Sequence, residues 1–223
     1  MALRKKYPQI LALGADIMVI QECSKTDIEE RSRSEGWSFW WVGENQNKGL
    51  GVLVKSPWII REAQDLSPKW AGKIVIDGPA SIDLFPVWGC KSKNPDIEYI
   101  EQVHLLLDML ERVPLSPLTI VAGDFNSNSL WDSGYAKNHS AAVERFRKLG
   151  MESAYHLFSG NPPGGERDHP THWNLKKRDP GYHVDYVFLS ESLLPRLKSV
   201  EVGRCDDWLC FSDHAPLIVE LDL

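Results

Sequence analysis

Leu118-Thr119-Ile120-Val121-Ala122-Gly123-Asp124-Phe125-Asn126 begins as an apolar run and turns abruptly polar at its C-terminal end. Such a run reads as a buried strand, and Gly-Asp-Phe-Asn as the loop that ends it. Upstream, residues 97–112 repeat apolar side chains (Ile97, Ile100, Val103, Leu106, Leu107, Leu110) at helical spacing, stopping before Pro114. Downstream, a second helix is expected over residues 140–149, ended by Gly150. The stretch therefore reads as a helix-flanked strand whose last residues present a carboxylate and an amide at a sheet rim.

The same pattern recurs along the chain. Residues 10–14 close a short helix, and Asp16-Ile17-Met18-Val19-Ile20-Gln21-Glu22 follows as a second apolar strand with a polar end. Further strands are expected over residues 37–42, 49–54, 58–62, 73–77, 81–88, 169–173, 183–190 and 215–221. The basic segment 176–181 is expected to form a hairpin turn. Strands outnumber helices, no repeat or linker divides the chain, and the economical arrangement is one α+β domain over residues 1–223. Two mainly antiparallel sheets packed together, with helices outside, would bury the apolar faces.

A length of 223 residues suffices for one sizeable core. The net charge of −6 excludes a general basic field, so a nucleic-acid partner must be held by local contacts. The start, Met1-Ala2-Leu3-Arg4-Lys5-Lys6-Tyr7-Pro8, lacks the apolar stretch of a signal peptide, and no long apolar run predicts a membrane span; the chain reads as cytoplasmic. Cys23, Cys90, Cys205 and Cys210 have no metal-binding spacing and read as reduced structural thiols. Most of the nine tryptophans are expected in the core.

Four polar clusters stand at ends of apolar strands or in the closing loop: Gln21-Glu22, Asp124-Phe125-Asn126, Asp185-Tyr186 and Ser212-Asp213-His214. Each alone has an ordinary explanation as a turn, cap or solvated acid. Asp185 is the hardest to dismiss, since a buried carboxylate demands a cation, a metal or a histidine. Hard oxygen donors suit Mg²⁺ or Mn²⁺, and a histidine can exchange protons with a phosphate oxygen near neutrality.

In their order the clusters resemble the endonuclease/exonuclease/phosphatase family of metal-dependent phosphoesterases, through Asp16-Ile-Met-Val-Ile-Gln21-Glu22, Val121-Ala-Gly-Asp124-Phe-Asn126-Ser127, His183-Val-Asp185-Tyr186-Val-Phe and Phe211-Ser-Asp213-His214-Ala-Pro216. The resemblance spans about the whole chain. It implies a four-layer α/β sandwich like that of pancreatic-type deoxyribonuclease. It also implies that Glu22 and Asp213 belong to the Mg²⁺ site, with Mn²⁺ as the alternative. Asp124 would orient or deprotonate the attacking water, Asn126 would position that water or the phosphate, and His214 would contact the phosphate with Asp185 as its partner.

Two departures from the family pattern appear. The strand that ordinarily opens these proteins, with its Asn, is absent ahead of the first helix, so the resemblance implies an N-terminally short domain. Around Phe85-Pro86-Val87-Trp88-Gly89-Cys90 the usual His or Tyr is missing, and an indole offers one N–H only. Tyr99 offers a hydroxyl, although its position at the head of the helix suits a surface aromatic better. Asn128, Trp173, Lys177 and Arg178 are expected to flank the substrate, with Asn45, Asn47, Lys48 and Trp131 as further phosphate-backbone contacts.

The function expected is a metal-dependent phosphodiesterase, with DNA the favoured substrate. A phosphatase or lipid and small-molecule phosphoesterase of the same family is the alternative. A different class of reading is an inactive or partner-completed binding module, as a homodimer or with a strand-completing partner.

Overall fold

The central strands are apolar on both faces, so each side of their sheet needs a cover. The computed structural model describes residues 3–66, 70–91, 97, 99–134, 136–178 and 180–223. In chain order the elements are α1 (Leu3–Ala12), β1 (Ile17–Cys23), α2 (Lys25–Glu35), β2 (Ser38–Asn45), β3 (Lys48–Val54), β4 (Ile59–Asp65), β5 (Gly72–Asp77), β6 (Ser81–Trp88), α3 (Ile100–Leu110) and β7 (Thr119–Asp124). They continue with α4 (His139–Lys148), β8 (Met151–Ser153), α5 (Ala154–Ser159), β9 (His172–Trp173), β10 (Gly181–Tyr182), β11 (Asp185–Ser190), β12 (Leu197–Val202), α6 (Cys205–Trp208) and β13 (Leu217–Leu221). Met1 and Ala2 at the start, Glu98 in the expected long helix and Asp179 in the expected turn lie outside the described residues.

Six strands form one sheet in the order β4-β5-β6-β7-β11-β8. Its pairs are antiparallel except β6–β7, whose parallel register requires the crossover that α3 supplies. A second sheet, β1-β3-β2, is antiparallel, and β9-β10 and β12-β13 are two-stranded. Alternation along β6 explains the layering. Phe85 and Val87 point toward α3 and α4 and join Val121, Phe188, Leu106 and Phe146. Ile82, Leu84 and Trp88 point the other way and meet Trp40, Leu50 and Val52 of the smaller sheet. Behind that sheet, Leu3, Tyr7 and Ile28 of α1 and α2 pack on Met18, Ile20 and Leu53. Helices, sheet, sheet and helices make the four layers.

The sequence reading passed over α2, which carries one buried apolar residue, Ile28, and one buried serine, Ser32. Its ends are nevertheless well marked. Ser24 caps the N-terminus by accepting from Asp27 N at 3.0 Å, and Gly36 closes the helix in the left-handed region at φ +69°. The turn over 176–181 is also more elaborate than a plain hairpin loop: Leu175 and Lys176 both take positive φ between β9 and β10.

β1 pairs with β3 alone and β13 with β12 alone among the described residues. The remaining edges of β1 and β13 both line a cleft of about 1020 Å³. Ile82, Leu84, Ile120, Val187 and Leu189 of the large sheet also line it, with α1 contributing Lys6, Ile10 and Leu13.

Polar groups are also buried beneath α4. His139 is 2% exposed; its Nδ1 lies 2.9 Å from Ser127 Oγ, and its Nε2 is buried without a partner. Burial depresses its pKa to about 4, against the opposing charges of Asp132 and Glu166. The unfolded chain takes up this proton near pH 6.5 and the folded chain only near pH 4, so stability is full above the first value and falls as pH drops toward the second. The loss from this one group is about 3 kcal/mol by linkage. Urea unfolding at pH 7, 5.5 and 4 should show a falling midpoint over this window, and His139→Gln should flatten the decline; an equal decline in the variant would remove His139 as its source.

Candidate active site

The polar ends of the strands meet because of register. In the antiparallel β7–β11 pair Asp124 faces Asp185 directly, and in the parallel β6–β7 pair Trp88 faces Asp124. Gly123 is required one step earlier: a Cβ there would lie 1.9 Å from Val87 O. On β1 a bulge between Ile20 and Cys23 takes Gln21 and Glu22 out of the β3 ladder, with Glu22 at φ +59°. Asn126 sits at φ +47° and Tyr99 at φ +52°. Three non-glycine residues in the left-handed region line one pocket, which is where such strain tends to collect.

Asp124 is 3% exposed and makes two contacts to Asn126, accepting from the backbone N at 2.8 Å and from Nδ2 at 2.7 Å. Asp185 Oδ2 lies 2.9 Å from His214 Nδ1, while the Asp185 backbone N donates to Thr171 Oγ1 at 3.1 Å. Thr171 Oγ1 also accepts from Val184 N, and Thr171 O accepts from Ala215 N, so one threonine ties the strand carrying Asp185 to the loop carrying His214. One ligand atom each of Asp124, Asp185 and His214 lies within 4.8 Å of the others. Glu22, Asp213, Gln21 and Asn126 line the same pocket.

The electrostatics follow from this crowding. Burial pushes the Asp124 carboxyl well up; His214 and the Asn126 hydrogen bond oppose that rise, while Asp185 and Glu22 add to it. Burial alone would lower His214, but Asp185 and the neighbouring acids carry it to about 9, so it is an imidazolium at neutral pH with Nε2–H free to donate. Burial acts against the Glu22 carboxylate, yet it stays below the ordinary value because Lys48 Nζ lies 2.7 Å from its Oε1. Lys48 also stands 5.2 Å over the Trp88 ring. Burial pushes the Cys90 thiol, at the pocket wall, up to about 12, which leaves it protonated.

Of the residues proposed from sequence, Glu22, Asp124, Asn126, Asp185, Asp213 and His214 are brought together around this site. Two others require correction. Asn128 is 2% exposed and fully engaged: its Oδ1 accepts from Leu130 N, and its Nδ2 donates to His183 O and approaches Tyr186 OH. It shapes the loop rather than facing substrate. Trp173 is buried against Trp208 and Ala215, because its place in β9 turns the ring inward. Lys177 is exposed, Arg178 pairs with Asp206 at 2.5 Å, and neither lines the pocket. Tyr99, read as a helix-surface aromatic, stands half exposed on the pocket wall just ahead of α3.

Other pocket-lining residues escaped the sequence reading. Lys6, Lys91 and His172 line it as well. The His172 ring lies 4.6 Å from that of His214, and burial together with the His214 charge lowers its pKa. Beside it, Tyr182 pairs with His172 across β9–β10 and packs against half-exposed Trp131 at 4.7 Å. Only the short spacing His172-Trp173 to Ser212-Asp213-His214 in space, invisible in sequence, joins these groups.

The chain matches the model of the Endonuclease/Exonuclease/phosphatase family over residues 3–214. No curated protein matches the sequence. Among solved structures, a 3′ phosphatase from Neisseria bound to a product DNA hairpin is 18% identical, with TM-score 0.72 over 100% of this chain and 96% of that one. A 3′-5′ exonuclease from Neisseria meningitidis (17%, TM-score 0.69) and an AP endonuclease from Archaeoglobus fulgidus (16%, TM-score 0.65) match over the same shares. At these identities the likeness establishes the fold alone.

The Asp185–His214 contact makes a direct prediction for metal-free protein. In wild type the His214 imidazole should titrate near pH 9, and Asp185→Asn should lower that value by about one unit or more, since the neutral amide removes the principal opposing charge. Imidazole proton shifts followed through a pH titration decide it; an unmoved value would show that Asp185 does not hold the proton on His214.

Proposed function

Because the chain belongs to the endonuclease/exonuclease/phosphatase family, we propose that it is a divalent-metal-dependent phosphodiesterase that hydrolyses DNA by water attack on a phosphodiester bond. The convergence of Asp124, Asp185 and His214, with Asn126 and Glu22 in the same pocket, carries this reading. The donor set fits Mg²⁺, or Mn²⁺: Glu22 and Asp213 would hold the ion with hard carboxylate oxygens, in a pocket where Asp124 and Asp185 bring two more carboxylates to one histidine. When bound, the ion supplies neutralisation of charge on the phosphoryl oxygens.

The protein's own groups divide the remaining work. Asp124 accepts the proton of the attacking water, and the amide of Asn126, held on Asp124, positions that water. His214, kept protonated by Asp185, donates to a non-bridging phosphate oxygen as charge develops there. Tyr99 offers a hydroxyl on the opposite wall. Substrate DNA is favoured by the hairpin-bound 3′ phosphatase and the AP endonuclease among the structural neighbours. Exposed Trp131, packed on Tyr182 next to His172, supplies a ring face for an unstacked base.

Asp124→Ala and His214→Ala should each lower turnover on the order of a hundred- to a thousandfold with the fold intact. The assay is Mg²⁺-dependent cleavage of plasmid, abasic-site, single-stranded and 3′-phosphorylated hairpin DNA, beside a panel of phosphomonoesters. Wild-type turnover in both variants would remove the site from the reaction, and activity confined to monoesters would make the protein a phosphatase.

A second reading is favoured by the cleft between β1 and β13. Two strand edges without a partner among the described residues line one cleft with an apolar floor, and such edges present backbone donors and acceptors that an extended polypeptide strand satisfies. On this reading the protein takes up such a strand, joining β1 to β13 in one continuous sheet. A synthetic apolar peptide of about seven residues, matching the length of β1, should raise the melting temperature in a concentration-dependent way. A charged peptide of equal length should not, and equal shifts by both would reject strand addition.

A further inference from the structure

Lys6 stands apart from the other two lysines of the pocket, the ion-paired Lys48 and the exposed Lys91. Lys48 is tied to Glu22 at 2.7 Å and lies over Trp88. Lys6 lines the same pocket, beside Glu22, Asp213 and His214, yet among the described residues no hydrogen bond or ion pair holds its ammonium. It is also half-buried: that burial lowers its pKa, while Glu22, Asp213 and Asp185 act in the opposite sense. An unpaired ammonium taken out of water is destabilising, and a fold tolerates it where something else completes its coordination.

The support under Lys6 is rigid. Leu3 and Tyr7 anchor α1 in the core, and Arg31 stacks over the Tyr7 ring at 4.4 Å, tying α1 to α2. One turn on, Ile10 packs at the margin of the same cluster. Lys6 therefore sits on a helix anchored through Leu3 and Tyr7, with its side chain at the junction where the site pocket and the large cleft share Lys6, Gln21 and His214. His214 approaches the pocket from the closing loop and Lys48 from the start of β3, so Lys6 adds a donor from a third element.

We propose that Lys6 is a substrate-binding residue of this site, its ammonium donating hydrogen bonds to non-bridging oxygens of the phosphate that undergoes hydrolysis. It keeps its proton throughout; its part is to place the phosphate against Asp124 and His214 and to balance the added negative charge. The inference rests on the phosphoesterase reading above, and deepens it by naming the group that receives the phosphate in a protein whose overall charge is −6.

The test compares wild type with Lys6→Met, which keeps the length of the side chain and removes the charge, and with Lys6→Arg, which restores a cation. Binding of inorganic phosphate and of a 3′-phosphorylated DNA hairpin, measured by calorimetry in EDTA, reads the contact without turnover. Steady-state kinetics on the best substrate of the nuclease panel reads it during turnover. Lys6→Met should weaken phosphate binding and lower kcat/KM on the order of ten- to a hundredfold, chiefly through KM, with recovery of part of the loss in Lys6→Arg. Its melting temperature should equal or exceed that of wild type, because an unpaired charge has been replaced by an apolar chain. Unchanged phosphate affinity and unchanged kcat/KM overturn the assignment, as does a lowered melting temperature with phosphate affinity intact. Should Lys6→Met melt early and also bind weakly, Lys6→Gln decides: normal affinity in that neutral variant overturns the proposal, and loss at a normal melting temperature upholds it. A wild type that cleaves nothing on the panel, yet loses phosphate binding on Lys6→Met, defeats the nuclease reading and leaves the phosphate site standing.

Discussion

Asp124 and Asp185 face each other across β7 and β11, two carboxylates in one register step of a buried sheet. Like charges at that spacing in a region of low polarity repel, and neither can be left without compensation. The surroundings consist of that compensation. His214 pairs with Asp185, Asn126 donates twice to Asp124, and Thr171 receives the backbone N–H of Asp185. Gly123 is confined to glycine by the approach of Val87 O, which fixes how deeply β7 seats against β6 and hence where Asp124 ends. The large sheet and its aromatic packing, with Phe146 and Phe188 stacked at 4.1 Å, hold this unfavourable pair in place.

How much of this was legible in the sequence depends on the range of the signal. The strands ending in Glu22 and Asp124 and the strand opening on Asp185 were legible because burial leaves long apolar runs, and the polar residues at their ends break the run visibly. The helix over Ile100–Leu110 was legible from its periodicity, but α2 was not, since Ile28 is its only buried apolar side chain and its evidence lies in Ser24 and Gly36. Asn128 and Trp173 were misjudged because polarity or aromaticity near a motif says nothing about which way a side chain turns. The cap on Leu130 and the pairing of β9 with β10 turn both inward.

Tyr99 and Lys6 show the opposite failure. Both belong to helix-associated segments where sequence suggests solvent, and both are aimed at the site by features outside their own neighbourhood: a positive φ for Tyr99, and the anchoring of Leu3 and Tyr7 in the core for Lys6. The residues proposed to contact substrate are thus the least legible, while the residues that compensate the paired carboxylates are the most.

That division has an electrostatic basis. An acidic chain cannot draw a polyanion by its overall field, and counterion release offers little when few cations face the nucleic acid. Attraction must then be concentrated where the chemistry occurs. His214 and Lys6 stand among Glu22, Asp185 and Asp213, and Lys48 is held by Glu22, so the cations of the site are gathered among acids rather than spread over the surface. Such a cluster is nearly neutral at a distance and strongly structured within a few ångströms, well inside the screening length of physiological salt. On the proposed nuclease reading it would discriminate by the placement of a single phosphate, with the exposed ring of Trp131, packed on half-buried Tyr182, rather than a basic track, left for the remainder of the strand.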